Sequence, residues 1–268
     1  MCCSLRPAKL TNTVLYAASA MNEGRHVHVM GYQNRAENLS KGPNAMLLPI
    51  PSTVAMGPDN MLDTTAAKAI LKDYAQAVRP PPTLSPNPGF RGVARAAAPV
   101  QVFDKGSFTV ALAERASDLP GAIGRIPVNK RPEINEDIFA AYDRLYPGWK
   151  MALCAWDGTL EAEPLLWWYE PLDSTRLFMP ALDAHDGRPP RIGADVAMDH
   201  SVVVGRVTNP FGNQVLFRDA LPKHLTPFLA TQVVGRQYDG MSMKNGDFIC
   251  SMSDLGAGDI LRVAPPGA

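Results

Sequence analysis

The sequence predicts an α+β fold, predominantly antiparallel β-sheet in hairpins, with two main helices at about residues 64–78 and 134–146. Three observations point there. Apolar runs of strand length recur along the chain, turn signals separate them, and only two segments carry apolar residues at helical spacing. Many strands with few helices favour segregated helices over the strand–helix alternation that builds a parallel sheet.

Residues 13–20 and 26–32 read as extended segments around Met21-Asn22-Glu23-Gly24, whose Asn and Gly suit a tight reversal, so the first element is a β-hairpin. Residues 45–50 form a third strand, and Pro49 and Pro51 place it at a strand end or a sheet edge. Asp63 or Thr64 can accept from first-turn amides, and Ala67, Ile70, Leu71, Tyr74 and Val78 recur at helical spacing until Pro80. The prolines of residues 80–99 then break the pattern as a linker or a long loop. Beyond it, 101–103 and 107–112 read as strands, the second with one buried face. Ile134, Ile138, Phe139, Tyr142 and Leu145 mark the second helix, which Pro147-Gly148 ends. Asp157-Gly158 predicts a second hairpin joining 151–155 to 163–169. Segments 176–179, 201–207 and 214–217 are further strands, and 256–268 reads as an exposed tail. The resulting organisation is 1–79, a linker at 80–99, a β-rich region at 100–255 and the tail, which can all form one domain.

Composition excludes several classes. The 26 basic residues match the 26 acidic ones, so no net field gathers nucleic acid or an anionic membrane surface. The same neutrality removes a barrier to self-association and favours a homo-oligomer or a protein partner. No apolar run reaches the length of a membrane helix, and the start of the chain lacks the pattern of a secretory leader. The four cysteines have neither metal spacing nor the density of a disulfide framework, which fits a reduced, cytoplasmic chain.

Three sets of side chains are candidates for chemistry. Cys2, once Met1 is removed, would carry a thiol beside its own α-amine, a compact nucleophile and base. In that respect the start resembles the class-II glutamine amidotransferases and other N-terminal-nucleophile hydrolases. The resemblance rests on Cys2 alone, since Cys3-Ser4 follow where those families place glycine and an apolar residue. It implies amide hydrolysis by Cys2.

His26 and His28, two apart on a strand, share a face, and His185, Asp186 and His200 supply further ligands; brought together, they would suit zinc or another divalent metal. His26-x-His28 resembles the first two ligands of the cupins, without their following acidic ligand. No phosphate loop, dinucleotide fingerprint or serine elbow occurs, so no organic cofactor is expected. The third set is aromatic. Adjacent Trp167 and Trp168 must point to opposite faces of a strand, leaving one for the core and one for a partner interface. These features rank a protein-binding or self-assembling protein with a β-rich scaffold first, and a hydrolase using Cys2 or a histidine-bound metal second.

Overall fold

The structure, a computed structural model, describes residues 3–79 and 101–268; Cys2 and the proline-rich stretch at 80–99 lie outside them. The fold is α+β with largely antiparallel sheets, as the sequence predicts. Its first strands are β1 (Cys3–Ser4), β2 (Ala8–Asn22), β3 (Arg25–Asn38) and β4 (Asn44–Ile50), followed by α1 (Ile70–Ala77). Next come β5 (Gln101–Lys105), β6 (Phe108–Ala113), α2 (Leu119–Ile123), α3 (Glu136–Leu145) and β7 (Lys150–Trp156). The remainder is β8 (Thr159–Glu161), β9 (Leu165–Tyr169), β10 (Arg176–Met179), β11 (Asp195–Ala197) and β12 (His200–Arg206). It ends with β13 (Asn213–Gln214), β14 (Gln232–Gln237), β15 (Ser242–Lys244), β16 (Asp247–Ser251) and β17 (Ile260–Val263).

The largest sheet runs β13-β14-β12-β2-β3-β8, with β9 also pairing β3. Its centre is the predicted hairpin: Asn22 pairs Arg25 across Glu23 (φ 48°) and Gly24 (φ 78°), the two positive angles that a twisted two-residue reversal needs. Against β2, however, β12 runs parallel, with His200 beside Thr13 and Arg206 beside Ser19. A second sheet, β1-β4-β7-β6-β5, lies across from it. Along β2, Leu15 and Ala17 enter one apolar cluster, shared with the five-stranded sheet and α3, while Val14, Tyr16 and Ala18 enter another, shared with α1. Strand β9 divides in the same way, with Trp167 on the first side and Trp168 on the second. The large sheet is therefore buried on both faces. Gly31 permits its close cover by α1, since a Cβ there would lie 2.9 Å from both Leu71 and Leu166.

Several expectations need correction. Asp157-Gly158 is no hairpin: β7 already pairs β4 and β6 on its two edges, so the chain turns away and β8 joins β3 in the other sheet. Helix α1 starts at Ile70, not near 64, because Thr64 donates to the Pro164 carbonyl (2.8 Å) and the Asp63 carboxylate accepts from the Thr65 amide (3.2 Å). Those contacts hold the preceding residues in turns. Helix α3 begins at Glu136, with Asn135 accepting from the Ile138 amide (3.3 Å) as N-cap, which leaves Ile134 exposed outside it. Strand β4 is not an edge, since β7 pairs it throughout and β1 pairs it at Met46 and Leu47. Strand β6 is buried on both faces, and the strand expected at 214–217 is reduced to β13. Nor is 256–268 a free tail: β17 pairs β16, and the Gly267 amide donates to the Leu145 carbonyl (3.0 Å).

Candidate functional site

A third sheet, β10-β16-β17, carries the candidate site on its outer face. Residues directly opposite in an antiparallel ladder share a face, and the register pairs Phe178 with Ile249 and Asp247 with Val263. Those four side chains therefore stand on one side, while Leu177, Met179, Phe248 and Cys250 alternate inward to the core. The loop after α3 supplies a further wall. Gly148 (φ 78°) reverses the chain, and the Trp149 ring meets Phe178 edge to face at 4.7 Å. Together with Pro265 and Pro266 these residues enclose a cleft of about 350 Å³. At its rim Leu172 is 48% exposed, and Asp173 and Arg176 add charge.

The floor contains a carboxylate. Asp247 is 1% exposed and accepts from the Tyr146 hydroxyl (2.6 Å) and the Ala181 amide (2.8 Å). Burial pushes its pKa up to about 6, against the lowering effect of those two donors, of the Arg262 charge and of the Leu182 amide. Among the described residues no cation lies within ion-pair distance of it. Arg262 is engaged elsewhere, donating to the carbonyls of Lys244 (2.9 Å) and Ala181 (3.1 Å) with its guanidinium 4.7 Å from the Phe248 ring centre.

A larger cleft of about 710 Å³ opens between the big sheet and α1. Its charges are largely satisfied internally: Arg218 pairs with Asp73, Lys72 with Glu161 at 2.6 Å, and Asp199 accepts the Asn12 amide at 2.8 Å. In the run Asp199-His200-Ser201, Asp199 Oδ1 lies 3.4 Å from His200 Nδ1, but His200 and Ser201, neighbours on β12, face opposite ways, so the three form no relay. Ser201 accepts from Gln237 (3.2 Å), whereas the His200 ring lies 6.3 Å from Phe248 in the core beneath.

The residues singled out from the sequence fall as follows. His26 and His28 do share a face, with rings 5.1 Å apart. Burial lowers the pKa of both, that of His28 to about 4, with the His26 charge reinforcing the effect and the Ser174 backbone and Asp173 opposing it. The other ligands do not join them. His28 pairs Ser19 of β2, His200 pairs Thr13 six residues away, and Asp186 bridges Pro7 beyond that. At about 3.3 Å per residue, six residues of strand separate the first two positions by roughly 20 Å. His185 lies 3.5 Å from Asp183 instead. Among the described residues no group of three His, Cys, Asp or Glu side chains is placed to hold a metal ion.

Trp167 and Trp168 take opposite faces, but both are interior, at 0% and 5% exposure, because α1 and the five-stranded sheet cover the two sides. Trp149, half-buried in the cleft, is not among the residues that sequence reasoning singles out. Its one signal is an aromatic directly after Pro147-Gly148, in a loop where a packing role is not required. No sequence signal distinguishes Asp247 from an ordinary turn carboxylate after Asn245-Gly246.

Fold and site together define an α+β, β-rich protein with an aromatic-walled cleft on a small outer sheet. No protein family and no curated protein matches the chain. Two solved structures are similar at low identity. The crystal structure of baculovirus P35 is 12% identical, with a TM-score of 0.40 over 96% of this chain and 92% of that one. A mutated baculovirus P35 after caspase cleavage is 13% identical, with a TM-score of 0.37 over 72% of this chain and 66% of that one.

Proposed function

We propose that this chain is a protein-binding protein that docks a partner at the cleft of β10, β16 and β17. The observation that carries the reading is the make-up of that surface: an apolar, aromatic-walled centre, exposed Leu172 beside it, and Asp173 and Arg176 at the margin. Protein interfaces share this plan of an apolar core within a polar rim, with aromatic anchors at the centre. Leu261, 52% exposed, stands opposite Ile249 on the same face and extends the patch to the edge strand. No helix of the described residues is long and apolar enough to cross a membrane. The sparse, unclustered cysteines of the sequence support a cytoplasmic setting for this binding.

The partner is another protein or a second copy of this chain. A photo-crosslinking amino acid placed at Leu172 distinguishes these, with Val128, exposed outside the cleft, as the control position. The expected result is one discrete adduct from Leu172 and none from Val128. An adduct at twice the chain mass identifies self-assembly. Equal, diffuse labelling from both positions would refute docking at the cleft.

A further inference from the structure

The docking face ends on an open strand edge. Strand β17 closes the order β10-β16-β17, with β16 on one side and, among the described residues, no strand on the other. Along a strand the N–H and C=O of one residue point to the same edge, and successive residues alternate edges. The Met252 amide donates to the Thr175 carbonyl (2.8 Å), which sets the phase: Cys250 and Phe248 bond toward β10, and Ile249 and Asp247 toward β17. Leu261 and Val263, opposite those two, therefore turn their main-chain groups back to β16. Ile260 and Arg262 turn theirs to the vacant edge, where none of the two donors and two acceptors has a bond among the described residues. By contrast, the Ser4 amide of β1 already donates to the Ala184 carbonyl (2.9 Å), and β13 is only two residues long. The side chains at the β17 edge are apolar toward the docking face: Leu261 is 52% exposed and Val263 lines the cleft. Unpaired main-chain groups beside an exposed leucine are complementary to an extended peptide, whose backbone supplies donors and acceptors in the same alternation.

We propose that the partner contributes an extended segment that pairs with β17 as a fourth strand of the small sheet, bonded to the main chain of Ile260 and Arg262. This deepens the docking reading and rests on it. Residues of the segment opposite Leu261 and Val263 share their face, so two apolar side chains, two positions apart, extend the docking surface. The residue between them turns to the other face. A second copy of the chain suits this edge less well. Two rigid protomers joined only through four-residue strands fall short of the roughly 1,200 Å² that a stable protein interface buries, whereas a flexible segment continues from the edge into the cleft.

A randomised peptide library displayed on phage and selected against the whole protein supplies the segment. Its binding should be lost in Trp149→Ala, whose fold is checked by circular dichroism. N-methylation of the synthetic peptide, one position at a time, should weaken binding about tenfold or more at two alternate residues and less than about threefold at the residue between them. Residue-resolved amide exchange should show Ile260 and Arg262 slowed by the peptide, with Leu261 and Val263 slow in both states because β16 already holds them. Ile260→Pro removes one outward donor at the first residue of an edge strand, where proline is tolerated, and should weaken binding to the same degree. If that variant does not fold, the methylation series and the exchange pattern of the native protein carry the test. A cleft-dependent peptide that tolerates N-methylation throughout, or leaves Ile260 and Arg262 unslowed, would overturn strand pairing and leave docking intact. Slowing of the same two amides on raising the protein concentration without peptide would give the edge to a second copy and overturn the partner segment. Absence of any cleft-dependent peptide would overturn both readings.

Discussion

Replacing Asp247 by asparagine should remove a pH dependence of stability that the native chain carries. Its carboxyl rises from 3.8 in the unfolded chain to about 6 in the fold because burial disfavours the ionised form. The native state therefore holds this proton more tightly than the unfolded state does. Its contribution is most favourable below the unfolded pKa and is lost as pH rises through the folded one. A rise of that size corresponds to about 3 kcal/mol, of which about 2 kcal/mol falls between about pH 4.5 and 7.5. Tyr146 and Arg262 are the groups packed against this carboxyl that set the rest of its field. The asparagine amide also disturbs the bonds to Tyr146 and Ala181, but that cost does not vary with pH in this range. Urea unfolding of both proteins across the range gives the assay. The native-minus-variant stability difference should fall by about 2 kcal/mol toward neutral pH; a difference that stays flat would refute a buried, charge-penalised Asp247.

The remaining predictions use other parts of the structure. His28 runs in the opposite direction: with its pKa held at about 4, stability relative to His28→Gln should fall by about 3 kcal/mol as pH drops from about 6.5 to below 4, and a flat difference would contradict a buried neutral imidazole. Native stability is thus flatter with pH than either group alone. Trp167→Ala and Trp168→Ala should each cost about 3–5 kcal/mol in chemical denaturation, whereas a loss below about 1 kcal/mol would return that tryptophan to the surface. Asn135→Ala should cost about 1 kcal/mol for the cap on α3, and more because its amide also donates to the carbonyls of Leu5 (3.1 Å) and Gly187 (2.9 Å). Leu172→Asp should change the unfolding free energy by less than about 0.5 kcal/mol while abolishing peptide binding at the cleft. Measuring both quantities on one sample separates docking from folding.

What the sequence made legible was local chemistry. The Glu23-Gly24 reversal could be read because Asn22 and Gly24 mark a turn and apolar runs flank it directly, although Glu23 takes the second positive φ. Asp157-Gly158 offered the same signal and led elsewhere, since a turn residue specifies a bend but not whether the next strand finds a vacant edge; β4 and β6 had taken both edges of β7. The alternation of Trp167 and Trp168 followed from strand geometry, yet their burial depended on two layers contributed by distant residues. Strand β17 was hidden because a proline-rich ending looked like a tail, although Ile260, Leu261 and Val263 could pair once β16 stood beside them. The cleft draws on residues from 51 to 266, so Trp149, Phe178 and Asp247 become neighbours only through the register of β10, β16 and β17. His26 and His28 illustrate the converse: their spacing set a shared face, and the long ladder of β2 kept the other histidines away.

Amide hydrogen exchange of the protein with and without a saturating, selected peptide tests the docking claim most directly. The predicted result is slowed exchange confined to residues 172–179 and 247–263, the rim and strands of the cleft. Protection around Ser201 and α1, at the larger polar cleft, or no localised protection at all, would contradict it.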